Sequence, residues 1–245
     1  MRGRDGGAAG VRALAGMLCL AAATTAAAGS FSISPIRVDL SRAQRSDFFT
    51  LHNDDDAPVV VQLRAVTWSQ LDGEEQYADS RDLLTTPPVF EIAPKGSQIV
   101  RVALRRDVDA AHELSYRLFF QEVPPASARI ENGLSVALRL SVPVFVQPVS
   151  SAAPQLQWQL RELEHGALQI EVCNLGTAHQ RITDFDLRFD DGRSTHVDGT
   201  RYVLPGSRVH WAINLPGSAH PTGAVAVHGF SDGGEFSAEV TRIGS

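Results

Sequence analysis

Between Leu134 and Val146 the sequence runs LSVALRLSVPVFV, and Leu134, Val136, Leu138, Leu140, Val142, Val144 and Val146 are all apolar. Side chains alternate across a strand, so these residues share one face, with Ser135, Ala137, Arg139, Ser141, Pro143 and Phe145 opposite. Such a face belongs either to the core of a β-sandwich or to an apolar edge open to another chain. Pro143 argues for the edge, because proline donates no ladder hydrogen bond and is confined to edges and bulges.

Residues 1–29 carry Arg2, Arg4 and Arg12 ahead of ALAGMLCLAAATTAAA, with small residues near Ala28 and Gly29. A basic head, a short apolar run and a small-residue cleavage site read as a secretory signal peptide. A spanning helix needs about 20 predominantly apolar residues, and neither this alanine-rich run nor any later stretch meets that, so no membrane insertion is expected. Without the leader's three arginines and Asp5, the net charge moves from −6 to −8, an acidic balance that argues against nucleic-acid binding. Cys19 leaves with the leader. Cys173 then stands alone, so no internal disulfide is expected and stability rests on packing.

From Phe31 onward, short alternating runs are separated by turn clusters, and no helical period is sustained. The fold class is all-β. Strands are predicted at 31–40, 47–53, 59–68, 89–93, 98–104, 115–123 and 134–146, an immunoglobulin-like count, with turns at NDDDAP, LDGEE, TTPP, PKGS, VPPAS and IENG. Phe31 and Ile33 have one parity and Ile36, Val38 and Leu40 the other, so the first strand changes face or sheet at Pro35. The segment QPVSSAAP (147–154) reads as a linker between a domain at 30–148 and one at 149–245. In the second domain strands are predicted at 156–163, 167–174, 180–189, weakly at 194–199, and at 207–214, 223–230 and 234–243.

The chain carries little that reads as catalytic. Its histidines show no i, i+4 pair and no cysteine pairs lie near them, so a zinc site has no support. Asp54, Asp55 and Asp56 lack the alternating ligands, glycine and distal glutamate of a calcium loop and read as a solvated turn. There is no G-x-S-x-G elbow and no glycine-rich phosphate loop. Trp68, Trp158 and Trp211 sit in strands and read as core. The expected chemistry is non-covalent, with no cofactor.

Four segments, TLHNDDDAPVVVQLRAVTW, PPVFEIAPKGSQIVRV, ELSYRLFFQEVPP and LRLSVPVFVQP, occur in an order and at spacings that resemble the periplasmic chaperones of the chaperone–usher pathway. YRLFFQEVPP is the most specific of them. RYVLPGSRVHWAI in the second domain, together with LSVPVF, is similar to the archaic, spore-coat-U-associated class. The resemblance spans Phe31 to about Ile243.

The resemblance implies two immunoglobulin-like β-sandwich domains arranged as an L. It also implies a periplasmic, non-enzymatic chaperone that lends its long strand to pilus subunits (spore-coat-U-like pilins) and delivers them to an outer-membrane usher. The donor residues align to Leu134, Val136 and Leu138, with Leu140 and Val142 continuing that face. The family holds the subunit's C-terminal carboxylate with an arginine on the first strand and a lysine on the seventh. Arg37, sixteen residues before Asn53, meets the first requirement, while Pro143 stands at the lysine position and leaves Arg139 or Arg101 as the second cation. Glu113 matches the acidic member of the family's interdomain ion network. Gln147 stands where an arginine is common, with Arg101 as a substitute partner. The alternative reading is an exported two-domain immunoglobulin-like adhesion or binding module that keeps its seventh strand buried.

Overall fold

Pro35 divides the first run between two sheets. β1 (Phe31–Ser34) pairs antiparallel with β3 (Ser46–Asn53), whereas β2 (Val38–Leu40) runs parallel to β10 (Arg139–Val146) in the opposite layer. The parity change in the sequence is this crossing. The structure, a computed structural model, describes residues 31–124, 137–163, 167–213, 215 and 223–243. The leader, Leu134 and Val136 lie outside the described residues.

Between β3 and β10 come β4 (Val59–Leu71), β5 (Glu74–Asp79), β6 (Leu83–Thr86), β7 (Val89–Ile92), β8 (Ser97–Leu104) and β9 (Leu114–Glu122). One sheet has the order β1-β3-β8-β6, and the other has β2-β10-β9-β4-β5 with β7 also on β4. Phe49 and Leu51 from the first layer meet Val61, Leu118, Phe120 and Val144 from the second in one buried core. Phe49 and Phe120 meet edge to face with ring centroids 5.6 Å apart.

β5 and β6 were not expected from the sequence. The turn at LDGEE is where predicted, with Asp72 at φ 51° and Gly73 at φ 84°, a two-residue loop whose positive φ pair suits a twisted hairpin. Every residue of β5 is exposed, so the segment EEQYAD has no apolar alternation to reveal it and is held by its ladder to β4.

The second domain contains β11 (Leu156–Glu162), β12 (Leu168–Asn174), β13 (Gln180–Phe189), β14 (Ser194–Val203), β15 (Arg208–Ile213), β16 (Val225–Ser231) and β17 (Gly234–Ile243). They hydrogen-bond in the order β14-β13-β16-β17-β11-β12-β15, with β11 parallel to β17. The end strands β14 and β15 come back into contact, so the layers of this second sandwich enclose one core around Trp158, Ile170, Phe185, Leu187, Trp211 and Val227.

Asn53 ends β3 and Asn174 ends β12, and both are fully buried. The Asn53 amide donates to the carbonyls of Ala57, Ile92 and Ala93, and that of Asn174 to Ala178 and Val203. Each stitches its own loop with one side chain, at the corresponding place in each domain.

The domains meet at an apolar joint of Trp68, Phe145 and Leu204, with Tyr202 packed against it. Gln70 spans the joint, donating to the Tyr202 carbonyl at 2.8 Å and accepting from the Leu204 N–H at 3.0 Å. In the linker, Val149 N–H donates to the Asp109 carbonyl and Ser150 N–H to that of Ala110. Trp68 therefore belongs to the joint rather than to the core of the first sandwich.

Candidate functional site

β10 is paired along only part of its length on one side. β9 covers Arg139 to Val146, and the ladder reaches back to Leu138, whose carbonyl accepts from the Glu122 N–H at 2.9 Å while its own N–H donates to Glu122 Oε2 at 3.0 Å. On the opposite edge β2 covers only Val144 to Val146. Among the described residues no strand pairs with that edge from Arg139 to Pro143. Pro143 lies on this stretch, in keeping with its missing donor.

The apolar face divides at the same place. Val142, Val144 and Val146 are buried in the first domain's own core, whereas Leu138 and Leu140 are half-buried against it. Val142, expected to continue the donor face, is 3% exposed and packs in the first domain's own core. On the other face Phe145 is fully buried under the second domain, its ring stacked 3.5 Å from that of His179.

Beside the open edge lies an interdomain cleft of about 420 Å³ lined by Ile36, Arg37, Arg117, Ser141, Pro143, Arg181, Thr200 and Tyr202. The segment joining β1 to β2 and two strands of the first domain meet two strands of the second here, and so bring three guanidinium groups together. Arg37 donates through Nε to Asp39 at 2.9 Å and through Nη1 to Asp232 at 3.1 Å. Burial works against its charge, but these two carboxylates outweigh that and raise its pKa. Arg117 lies over Trp68, its guanidinium carbon 3.8 Å from the ring centroid, with Glu75 3.6 Å away. Its Nε is buried without a hydrogen-bond partner among the described residues. An unmet buried guanidinium donor is costly, and a carboxylate is the acceptor that suits it best. Arg181 lies 5.9 Å from the Tyr202 ring. Burial raises the pKa of the Tyr202 phenol despite the opposing pull of Arg181, Arg117 and Arg37, so it remains a protonated donor.

The other two cations expected here are elsewhere. Arg139 shares the face of Pro143, but four residues along a strand is roughly 13 Å, and its guanidinium rests 3.9 Å from the Phe119 ring centroid. Arg101 is on β8, opposite Phe48 in the other layer, with the core between it and the cleft. For the same reason Arg101 is no partner of Glu113.

Glu113 is at the domain interface, and its partner is His179, at 2.6 Å from Nδ1 to Oε1 with both side chains nearly buried. The backbone follows, with Glu113 N–H donating to the Thr177 carbonyl and His179 N–H to Glu113 Oε1. Asp232 continues the chain. Its Oδ1 accepts from Gln180 Nε2 and the Arg181 N–H, while its Oδ2 faces both Arg37 and, at 3.6 Å, His179 Nε2. That last distance is an ion-pair contact rather than a hydrogen bond. Arg117, Arg181 and His179 were not picked out from the sequence. The one local signal is Arg117 itself, a charge inside the apolar run SYRLFF.

Comparison with known proteins matches residues 30–152 to the family described as pili and flagellar-assembly chaperone, PapD N-terminal domain. The uncharacterized fimbrial chaperone YhcA of Escherichia coli (strain K12) is 27% identical over 180 residues, covering 74% of this chain and 76% of that protein. Among solved structures, the CsuC–CsuE chaperone–tip adhesion subunit pre-assembly complex of archaic Csu pili from Acinetobacter baumannii aligns with a TM-score of 0.67 at 21% identity. It covers 88% of this chain and 100% of the other. The SafA pilin–SafB chaperone complex of Salmonella enterica aligns at 0.59 with 17% identity, over 86% and 96% of the two chains. At these identities the likeness establishes the fold, whereas the family rests on the match to the first domain. The chain belongs to the pili and flagellar-assembly chaperones.

Proposed function

We propose that this chaperone captures pilus subunits in the periplasm by adding its β10 edge to an incomplete subunit sandwich and seating the subunit's terminal carboxylate in the arginine cleft. The observation that carries this reading is the unpaired edge from Arg139 to Pro143 running alongside a cleft lined by Arg37, Arg117 and Arg181. A strand added there gains ladder bonds, and Leu138 and Leu140, with Leu134 and Val136 upstream, fill pockets in the client. Fully burying an apolar side chain contributes roughly 1.5–3 kcal/mol, and half-buried leucines supply about half of that each on capture. Arg37 and Arg117, with Arg181 nearby, receive the carboxylate. Family membership argues against a passive adhesion module.

In this reading residues 1–29 direct export, spore-coat-U-like subunits of the archaic class are the clients, and an outer-membrane usher receives them. Release needs no cofactor, because a better-fitting strand replaces β10. The test is periplasmic co-expression with small secreted subunits encoded beside this chain, each made with its natural end and with its C-terminus amidated or extended. Stoichiometric capture of the natural form and weakened capture of the blocked form are expected. Equal capture of both forms overturns the carboxylate seat, and failure to capture any subunit overturns the strand donation.

A further inference from the structure

The interface between the domains is a chain of alternating charge that crosses from one domain to the other twice. Glu113 belongs to the first, His179 and Asp232 to the second, and Arg37 with Asp39 to the first again. His179 is the one member whose charge changes near neutrality. We propose that His179 is a pH-operated lock on the interdomain joint, closed when the imidazole is protonated and loosened when it is neutral. This inference concerns the empty chaperone and does not depend on how subunits are bound.

The geometry makes the proton matter. Nδ1 faces Glu113 at 2.6 Å and Nε2 faces Asp232 at 3.6 Å, so only the doubly protonated ring carries a donor toward each carboxylate. A neutral imidazole meets one of them and turns a lone pair toward the other. The remaining charged and titratable neighbours are Arg37 behind Asp232, Arg181 on β13, and Tyr202 with its ring centroid 5.6 Å away on β14. The two arginines oppose the imidazolium, but Arg37 is shared with Asp39 and Arg181 lies over Tyr202. On its flat side the ring stacks on Phe145 of β10 at an interplanar angle of 9°. The imidazole therefore touches the first domain twice, through Glu113 at its edge and Phe145 at its face.

Burial alone would lower the pKa of His179, but Asp232 and Glu113 outweigh it and hold the value above the ordinary 6.5. A group raised on folding stabilises fully below its ordinary value and loses that contribution as pH rises through the raised one. The lock is closed in mildly acidic medium and loosens toward alkaline pH.

Small-angle scattering of the mature chain at pH 6 and pH 9 tests this, with circular dichroism confirming that both sandwiches stay folded. A larger radius of gyration and a broader distance distribution are expected at pH 9. His179→Gln is expected to show the broad form at both pH values. Should His179→Gln fail to fold, Glu113→Gln, which keeps an acceptor but removes the charge, is expected to lose the pH dependence in its place. Identical wild-type scattering at the two pH values, or an undiminished pH response in the folded variant, overturns the proposal.

Discussion

Arg117 stands directly across from Pro143 in the β9–β10 ladder, one strand spacing away and lining the same cleft. The family resemblance sets a lysine at the position of Pro143. Neighbouring strands lie about 4.8 Å apart, so a guanidinium on β9 covers the ground that an ammonium on β10 would.

Arg117→Ala and Arg37→Ala are expected to weaken subunit binding. A hydrogen bond to a charged group is worth about 1.5–3 kcal/mol, or roughly 10-fold to 150-fold in affinity. Arg101→Ala, on the far layer, serves as the control. Titration calorimetry with a purified subunit decides the point, and equal losses in all three variants rule out the seat. Arg117→Lys is expected to restore part of the affinity, but not all, because a single ammonium lacks the bidentate fork.

Leu138→Asp and Val142→Asp separate lending from folding. Leu138 is half-buried, so its replacement is expected to cost about 1 kcal/mol of stability while abolishing capture. Val142 is core, and a carboxylate there is expected to collapse the cooperative unfolding transition of the first domain. Thermal melts with parallel capture assays give both readings. An unfolded Leu138→Asp would return that residue to the core.

Asn174→Ala is expected to lower stability by about 2–3 kcal/mol, because the carbonyls of Ala178 and Val203 lose their shared donor in a buried site. The same side chain accepts from Gln155 N–H and Gly176 N–H, so the loop carrying His179 loses its anchor to the linker. Gly176 packs so closely on the Ala153 carbonyl that any Cβ would overlap it. Faster amide exchange across 175–179 is the expected signature, and unchanged protection there would remove Asn174 from the joint.

Asp232 provides the acid-side counterpart. Burial would raise its pKa, but His179, the Arg181 N–H and Arg37 together hold it below the ordinary 3.8. A lowered carboxylate stabilises fully above its ordinary value and loses that contribution as pH falls through the lowered one. The melting-temperature gap between wild type and Asp232→Asn is expected to be full at pH 6 and to close on acidification. A gap that does not narrow at all as the pH falls below 3.8 would show that Asp232 acts by packing.

The strand pattern and the crossing at Pro35 were legible because alternation and its phase are local properties. β5 was not, since an exposed hairpin arm is held by its ladder and shows no apolar face. The seven-residue alternation of 134–146 is uniform in sequence, so nothing within it marks Val142 as the last core position. That limit is set by how the two layers pack around Val142, a tertiary property. Arg37 and Glu113 could be picked out from spacing within familiar segments. Arg117, Arg181 and His179 acquire their setting from Trp68, Tyr202 and Asp232, contacts that exist only once the two domains are joined.

The break at Val142 also bears on how such a strand can change over generations. Its C-terminal half answers to the core and tolerates little, while under the proposed strand donation its N-terminal half answers to the client. On that proposal, substitutions upstream of Val142 retune client preference with the scaffold intact, so two related chaperones diverge in cargo while keeping the same body.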